Sequence, residues 1–143
     1  MDMFKKHNGQ LPLVSRFVFE TDDLLATRDN LANYLVQHTI NPLEKNYNVR
    51  FRHCSLDVGE ISINSLQYGA AIRIGVSPPA DTFLLLILLE GSGTVKQDGY
   101  ITHINNQRPY VFNPGIPAVL ELSRNQTNFT IRITMSAFRR ALE

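Results

Sequence analysis

The stretch Thr82–Gly93, TFLLLILLEGSG, decides how the rest of the chain is read. Phe83 to Leu89 are seven large apolar residues in a row with no polar face, so both sides must leave water. Seven residues fall far short of the roughly 20 that a bilayer-crossing helix needs. The run lies between a loop carrying Pro78, Pro79 and Asp81 and a turn carrying Gly91 and Gly93. These breakers, with the short length, predict a central strand rather than a buried helix.

Outward from that strand the grammar stays β. Before it, Val49–Leu56 is one candidate strand and Asp57-Val58-Gly59 a turn. Glu60–Tyr68 follows, with Ile61, Ile63 and Ser65 alternating against Ser62, Asn64 and Leu66, and Gly69 separates it from Ala71–Val76. After it come Thr94–Gln97, the hairpin dipeptide Asp98-Gly99, Tyr100–Ile104, a loop at 105–108, and Tyr110–Phe112. The turn Asn113-Pro114-Gly115, then Ala118–Leu122 and Phe129–Met135, complete the set. Ser136 offers an N-cap for a short terminal helix. About nine or ten short strands match a jelly roll or cupin-like barrel, mostly β. In such a barrel the apolar run has one side toward an internal cavity and the other toward the preceding helix.

That helix is expected from Asp22 to His38. Thr21, Asp22 and Asp23 supply cap oxygens, Leu24, Leu25, Leu31, Tyr34 and Leu35 share a face, and Asn41-Pro42 lies beyond its end. Phe17–Phe19 suggests a short extended entry. Residues 1–16 read as an arm and 17–143 as one domain.

Composition removes several classes of function. A chain of 143 residues suits one domain burying about two-thirds of its unfolded surface. Its 14 Lys and Arg against 13 Asp and Glu give +1, no broad basic field for a phosphate backbone. The one cysteine, Cys54, excludes an internal disulfide and reads as an inert thiol. The N-terminus shows no apolar leader and no segment is long enough to span a membrane, so the expectation is a cytoplasmic protein without membrane contact.

The ordered pattern VGEISINSLQYGAAIRI, a Pro-containing loop, FLLLILLEGSGTV, a hairpin, YVFNPGIPAVLEL and FTIRITMSAFRRAL resembles the N-terminal effector-sensing domain of AraC/XylS-type transcription regulators. The similarity spans about 17–142 and is most specific at Tyr68-Gly69-Ala70, Arg73 and Asn113-Pro114-Gly115. Asn106-Gln107-Arg108 departs from the Pro-Gly-Asp type turn usual in cupins. The resemblance implies a transcription activator whose barrel binds a small organic effector. It also implies DNA binding through a C-terminal helix-turn-helix segment outside this chain, and a homodimer of the full-length protein.

The residues support no catalytic assignment. Catalytic cupins hold a metal through His-x-His with a Glu and a further His. No His-x-His occurs, and His7, His38, His53 and His103 are scattered, so neither a metal nor another cofactor is expected. Gly91-Ser92-Gly93 precedes a strand and is no phosphate loop. The ligand-binding candidates are Arg50, Arg52 and Arg73, each able to hold a carboxylate through two parallel hydrogen bonds. Alternation sets Arg50 and Arg52 on one side of their strand and Phe51 and His53 on the other, so one pair faces the cavity. Tyr68 and Tyr110 complete the set as aromatic walls with a phenolic hydroxyl. Two rivals to an effector sensor are a metal-dependent cupin enzyme and a barrel packed solid that meets a protein partner.

Overall fold

The computed structural model describes residues 11–34 and 38–143. Residues 1–10 of the arm expected at 1–16, and Leu35 of the expected helical face, lie outside the described residues. Val14–Arg16 form a short 3-10 turn leading into β1 (Phe17–Thr21), α1 (Leu24–Tyr34) and β2 (His38–Pro42). Then come β3 (Phe51–Val58), β4 (Ile61–Gln67), β5 (Ile72–Val76), β6 (Thr82–Glu90), β7 (Gly93–Gln97) and β8 (Tyr100–Ile104). β9 (Tyr110–Phe112), β10 (Ala118–Leu122), β11 (Thr127–Thr134) and α2 (Met135–Leu142) end the order.

Two antiparallel sheets face each other in a jelly-roll, cupin-like arrangement. The first has the order β1-β3-β4-β11-β6-β9 and the second β2-β5-β10-β7-β8. The predicted central strand is β6, paired on one side with β11 from Thr134↔Thr82 to Thr127↔Glu90 and on the other with β9. Leu84, Leu86 and Leu88 point between the sheets and are buried. Their neighbours Phe83, Leu85 and Ile87 are half-buried on the outer face.

The helix expected to cover that outer face lies elsewhere. α1 packs on β1 and β2, while the outer face of the first sheet takes α2 and the chain at 11–12. Phe138 of α2 stacks on Phe83 at 5.0 Å, and the Pro12 carbonyl accepts a hydrogen bond from Ser65 Oγ. α1 starts as the sequence predicts, with Asp23 Oδ2 accepting from Ala26 N at 3.2 Å. It does not reach His38, which opens β2. That strand went unread because it buries a single apolar residue, Ile40, and is held by edge pairing to β5. α2 is capped by Thr134, whose Oγ1 accepts from Ala137 N at 3.2 Å, and Ser136 lies inside it.

The turns obey their chemistry. Asp98 and Gly99 take φ of 51° and 80° and close the β7–β8 hairpin with Gln97 opposite Tyr100. Gly69 has φ of 73°, and a Cβ there would meet Arg50 Cβ at 2.9 Å, so the Tyr68-Gly69 step lets the chain before β3 approach closely.

Candidate functional site: the space between the sheets

Both sheets contribute to one interior wall, and they differ in chemistry. The second sheet offers Ile72, Ile74, Val76, Leu120 and Leu122, all buried and apolar. The first sheet mixes leucines with a polar row. Asn64 on β4 and Thr130 on β11 are cross-strand partners, as are Leu66 and Asn128, and all four face inward.

The polar groups form one hydrogen-bonded chain. His53 of β3 is fully buried, with Nδ1 2.9 Å from Asn30 Oδ1 of α1 and Nε2 2.7 Å from Asn64 Oδ1. Asn64 Nδ2 donates to Ser62 Oγ at 2.9 Å and to the Thr130 carbonyl at 3.3 Å. Thr130 Oγ1 donates to Asn128 Oδ1 at 2.9 Å, and Asn128 Nδ2 to Gln126 Oε1 at 2.9 Å. A backbone carbonyl accepts and cannot donate, so the Asn64 nitrogen must face Thr130 and its oxygen His53. The His53 proton therefore sits on Nε2. Burial lowers the His53 pKa, opposed by the Asn64 hydrogen bond, and so favours the neutral ring. Nδ1 is then an acceptor, which the Asn30 amide satisfies when it turns its NH2 group inward.

Between the walls lies a cavity of about 50 Å³, lined by Leu31 of α1, His38 of β2, Tyr68, Leu86, Asn128 and Thr130 among others. An apolar cavity of about 150 Å³ is needed to hold benzene. The interior is therefore nearly filled, with Leu31 as the helix's own contribution to the filling.

The candidates read from the sequence separate in space. Phe51 and His53 are the inward pair of β3, and Arg50 and Arg52 face out. Tyr68 is buried on the cavity wall, where desolvation pushes its phenol far above the ordinary value, and its ring packs on Phe51 at 5.4 Å. Tyr110 is half-buried, its hydroxyl donating to Gln97 Oε1 at 2.8 Å. Gln97 in turn donates to the Ile116 carbonyl at 2.8 Å, so this pair pins the Asn113-Pro114-Gly115 turn. Arg73 lies on the outer face of the second sheet, paired with Glu121 at 2.8 Å, both about half-exposed. Arg50 and Arg52 instead border an open depression of about 460 Å³ with Glu20, Glu90 and Arg124. Arg52 Nε is buried there without a partner among the described residues.

Asn30, Asn64, Asn128 and Thr130 escaped sequence reading. Ser62 and Asn64 alternate with Ile61 and Ile63, and alternation alone does not say which set faces inward. The structure turns Ser62 and Asn64 inward and the isoleucines outward. His53 and His103 do not meet, because His103 is exposed on β8 of the other sheet. Among the described residues no three His, Cys, Asp or Glu side chains converge as a metal set. Cys54 is fully buried, and desolvation raises its thiol pKa.

Two facing antiparallel sheets around a lined interior define a cupin-like domain. Residues 27–143 match the family model of the AraC-binding-like domain, and the chain belongs to that family. It is thus a regulatory domain of AraC type. A sequence comparison with curated proteins finds no match. Among solved structures the chain is similar to the AraC-like transcriptional activator CuxR, with TM-score 0.62 and 14% identity over 82% of this chain and 46% of that one. It thus spans about half the length of CuxR. It is also similar to the Schizosaccharomyces pombe Cnp3 cupin domain, with TM-score 0.50 and 11% identity over 64% of this chain and 71% of that one. At these identities the likeness concerns the fold.

Proposed function

We propose that this domain is the effector sensor of an AraC-type transcription activator, that it is not an enzyme, and that a small organic molecule enters between the sheets. In this reading a helix-turn-helix segment C-terminal to the domain binds DNA, and the full-length protein works as a cytoplasmic homodimer. The observation that carries the reading is Asn128 and Thr130 on the cavity wall, on a strand that runs without a break into α2. A ligand held by those two side chains acts on the strand that positions the exit helix. Since the interior is nearly filled, entry requires a wall to move, and Leu31 makes α1 that wall. The ligand then binds the opened arrangement better than the closed one, which a two-state switch needs.

Thermal unfolding against a panel of small carboxylic, aromatic and sugar compounds tests this. A one-site ligand at 100 times its Kd adds about 2.7 kcal/mol. If no compound protects, the reading fails. The filled interior favours one rival, a solid module that meets a protein partner through its outer surfaces, because about 50 Å³ is well below the ~300 Å³ of an ordinary ligand pocket. The same panel decides between them.

A further inference from the structure

Sequence reading pointed to arginine clamps and hence to carboxylate ligands. The interior holds none of those arginines. Arg50 and Arg52 border the outer depression, and Arg73 is spent on Glu121 outside the second sheet. Arg132 follows Thr130 on the inward side of β11 but borders a separate depression with Asp57 and Glu60. Among the described residues no Lys, Arg, Asp or Glu lines the cavity.

We infer that the interior takes an uncharged, mainly apolar molecule with one hydrogen-bonding group, such as a ketone, amide or alcohol, and rejects its carboxylate counterpart. The inference rests on the effector-binding reading above and names the ligand class of that same site. Asn128 uses one amide N–H on Gln126 and one lone pair on Thr130, which leaves one N–H and one lone pair for a neutral guest. Gln126, which takes that N–H, is 2% exposed and borders the outer depression rather than the cavity, so Asn128 is the amide that meets the guest. A carboxylate in the same place would lose its water with no guanidinium or ammonium opposite it, a cost that exceeds what one amide N–H returns. His38 is the imidazole on the wall among the described residues; it is half-buried and also borders an outer depression with Thr39 and Val119. The apolar remainder of the guest meets leucine and isoleucine on three sides.

The experiment uses the 143-residue chain and matched probe pairs, acetophenone with benzoate and cyclohexanone with cyclohexanecarboxylate, at about pH 7.5, where the acids are ionised. Melting temperature gives the affinities, and methyl NMR of Leu31, Leu86 and Leu120 locates the site. The expected result is that each ketone binds more than about tenfold tighter than its acid, the minimum for an unpaired buried charge, with shifts at the interior methyls. Thr130→Val, which removes the hydroxyl that holds Asn128 Oδ1 and so frees the amide that meets the guest to turn away, should weaken ketone binding by about threefold to tenfold. If the carboxylates bind as well or better at the interior methyls, the inference is overturned while the effector site stands. Loss of that carboxylate binding in His38→Gln would then identify the counter-ion. If neither member of either pair protects and the methyls do not shift, while the wider panel does protect, the inference falls alone. If nothing in either set protects, both fall.

Discussion

His53 is the residue on which the first sheet's interior turns. Its two nitrogens tie α1 to β4 through Asn30 and Asn64, and Asn64 relays the contact to β11 through the Thr130 carbonyl. Asn64→Leu would fill the volume but take from the buried His53 N–H the amide oxygen that accepts it. Such a change should cost about 1 to 3 kcal/mol in urea unfolding, whereas Arg73→Ala, which removes a half-exposed ion pair, should cost less than about 1 kcal/mol. The imidazole also gives stability a pH dependence of definite sign. Its native pKa is lowered by burial, so the unfolded chain binds the proton more readily than the folded one. The contribution is complete above the unfolded value of about 6.5 and is lost as pH falls from there through the depressed native value. Urea midpoints measured between about pH 7.5 and 5.5 should fall toward acid in the parent, and less steeply in His53→Gln.

At the scale of elements, two glycine turns that look alike in sequence separate. Gly91, between β6 and β7, has φ of 81°, and a Cβ there would sit 2.7 Å from Gln126 Cα. Gly99 has nearly the same φ, 80°, with nothing within 4 Å of the added atom. Gly99→Ala should therefore cost only the left-handed penalty of about 1 to 2 kcal/mol, and Gly91→Ala more than about 3 kcal/mol, since backbone must also shift. Thermal unfolding of the two variants side by side checks the difference. α1 is the other informative element. Leu31→Ala should destabilise the empty domain by about 2 to 5 kcal/mol. The space it frees should also enlarge the stabilisation given by any interior ligand. Equal ligand-induced shifts in parent and variant would show that α1 is not the wall that moves.

For the whole molecule, the sheet orders predict a gradient of stability. β4, β11 and β6 are each paired on both sides at the centre of the first sheet, while β2, β8 and β9 are edges. Amide exchange read by mass spectrometry should protect the first three longest and release the edges first. Much of this architecture was legible in the sequence. Seven consecutive apolar residues in β6, the Asp98-Gly99 hairpin and the Asn113-Pro114-Gly115 turn are local signals, and local backbone chemistry was enough to establish strands, breaks and a cupin-like class. Which face of each strand looks inward was not local. Ile61, Ile63 and Ile131 lie on the outer face, and Ser62, Asn64, Asn128 and Thr130 on the inner one. A pleated strand offers either face with equal ease, and the choice depends on partners far along the chain: Pro12 over Ser65, Phe138 over Phe83, Asn30 against His53. The sequence alone thus determined that this chain folds as a small β domain of regulatory type. Only the tertiary structure decided that Arg50, Arg52 and Arg73 look outward and that neutral amides and a hydroxyl line its interior, because register and burial are properties of the assembled sheets.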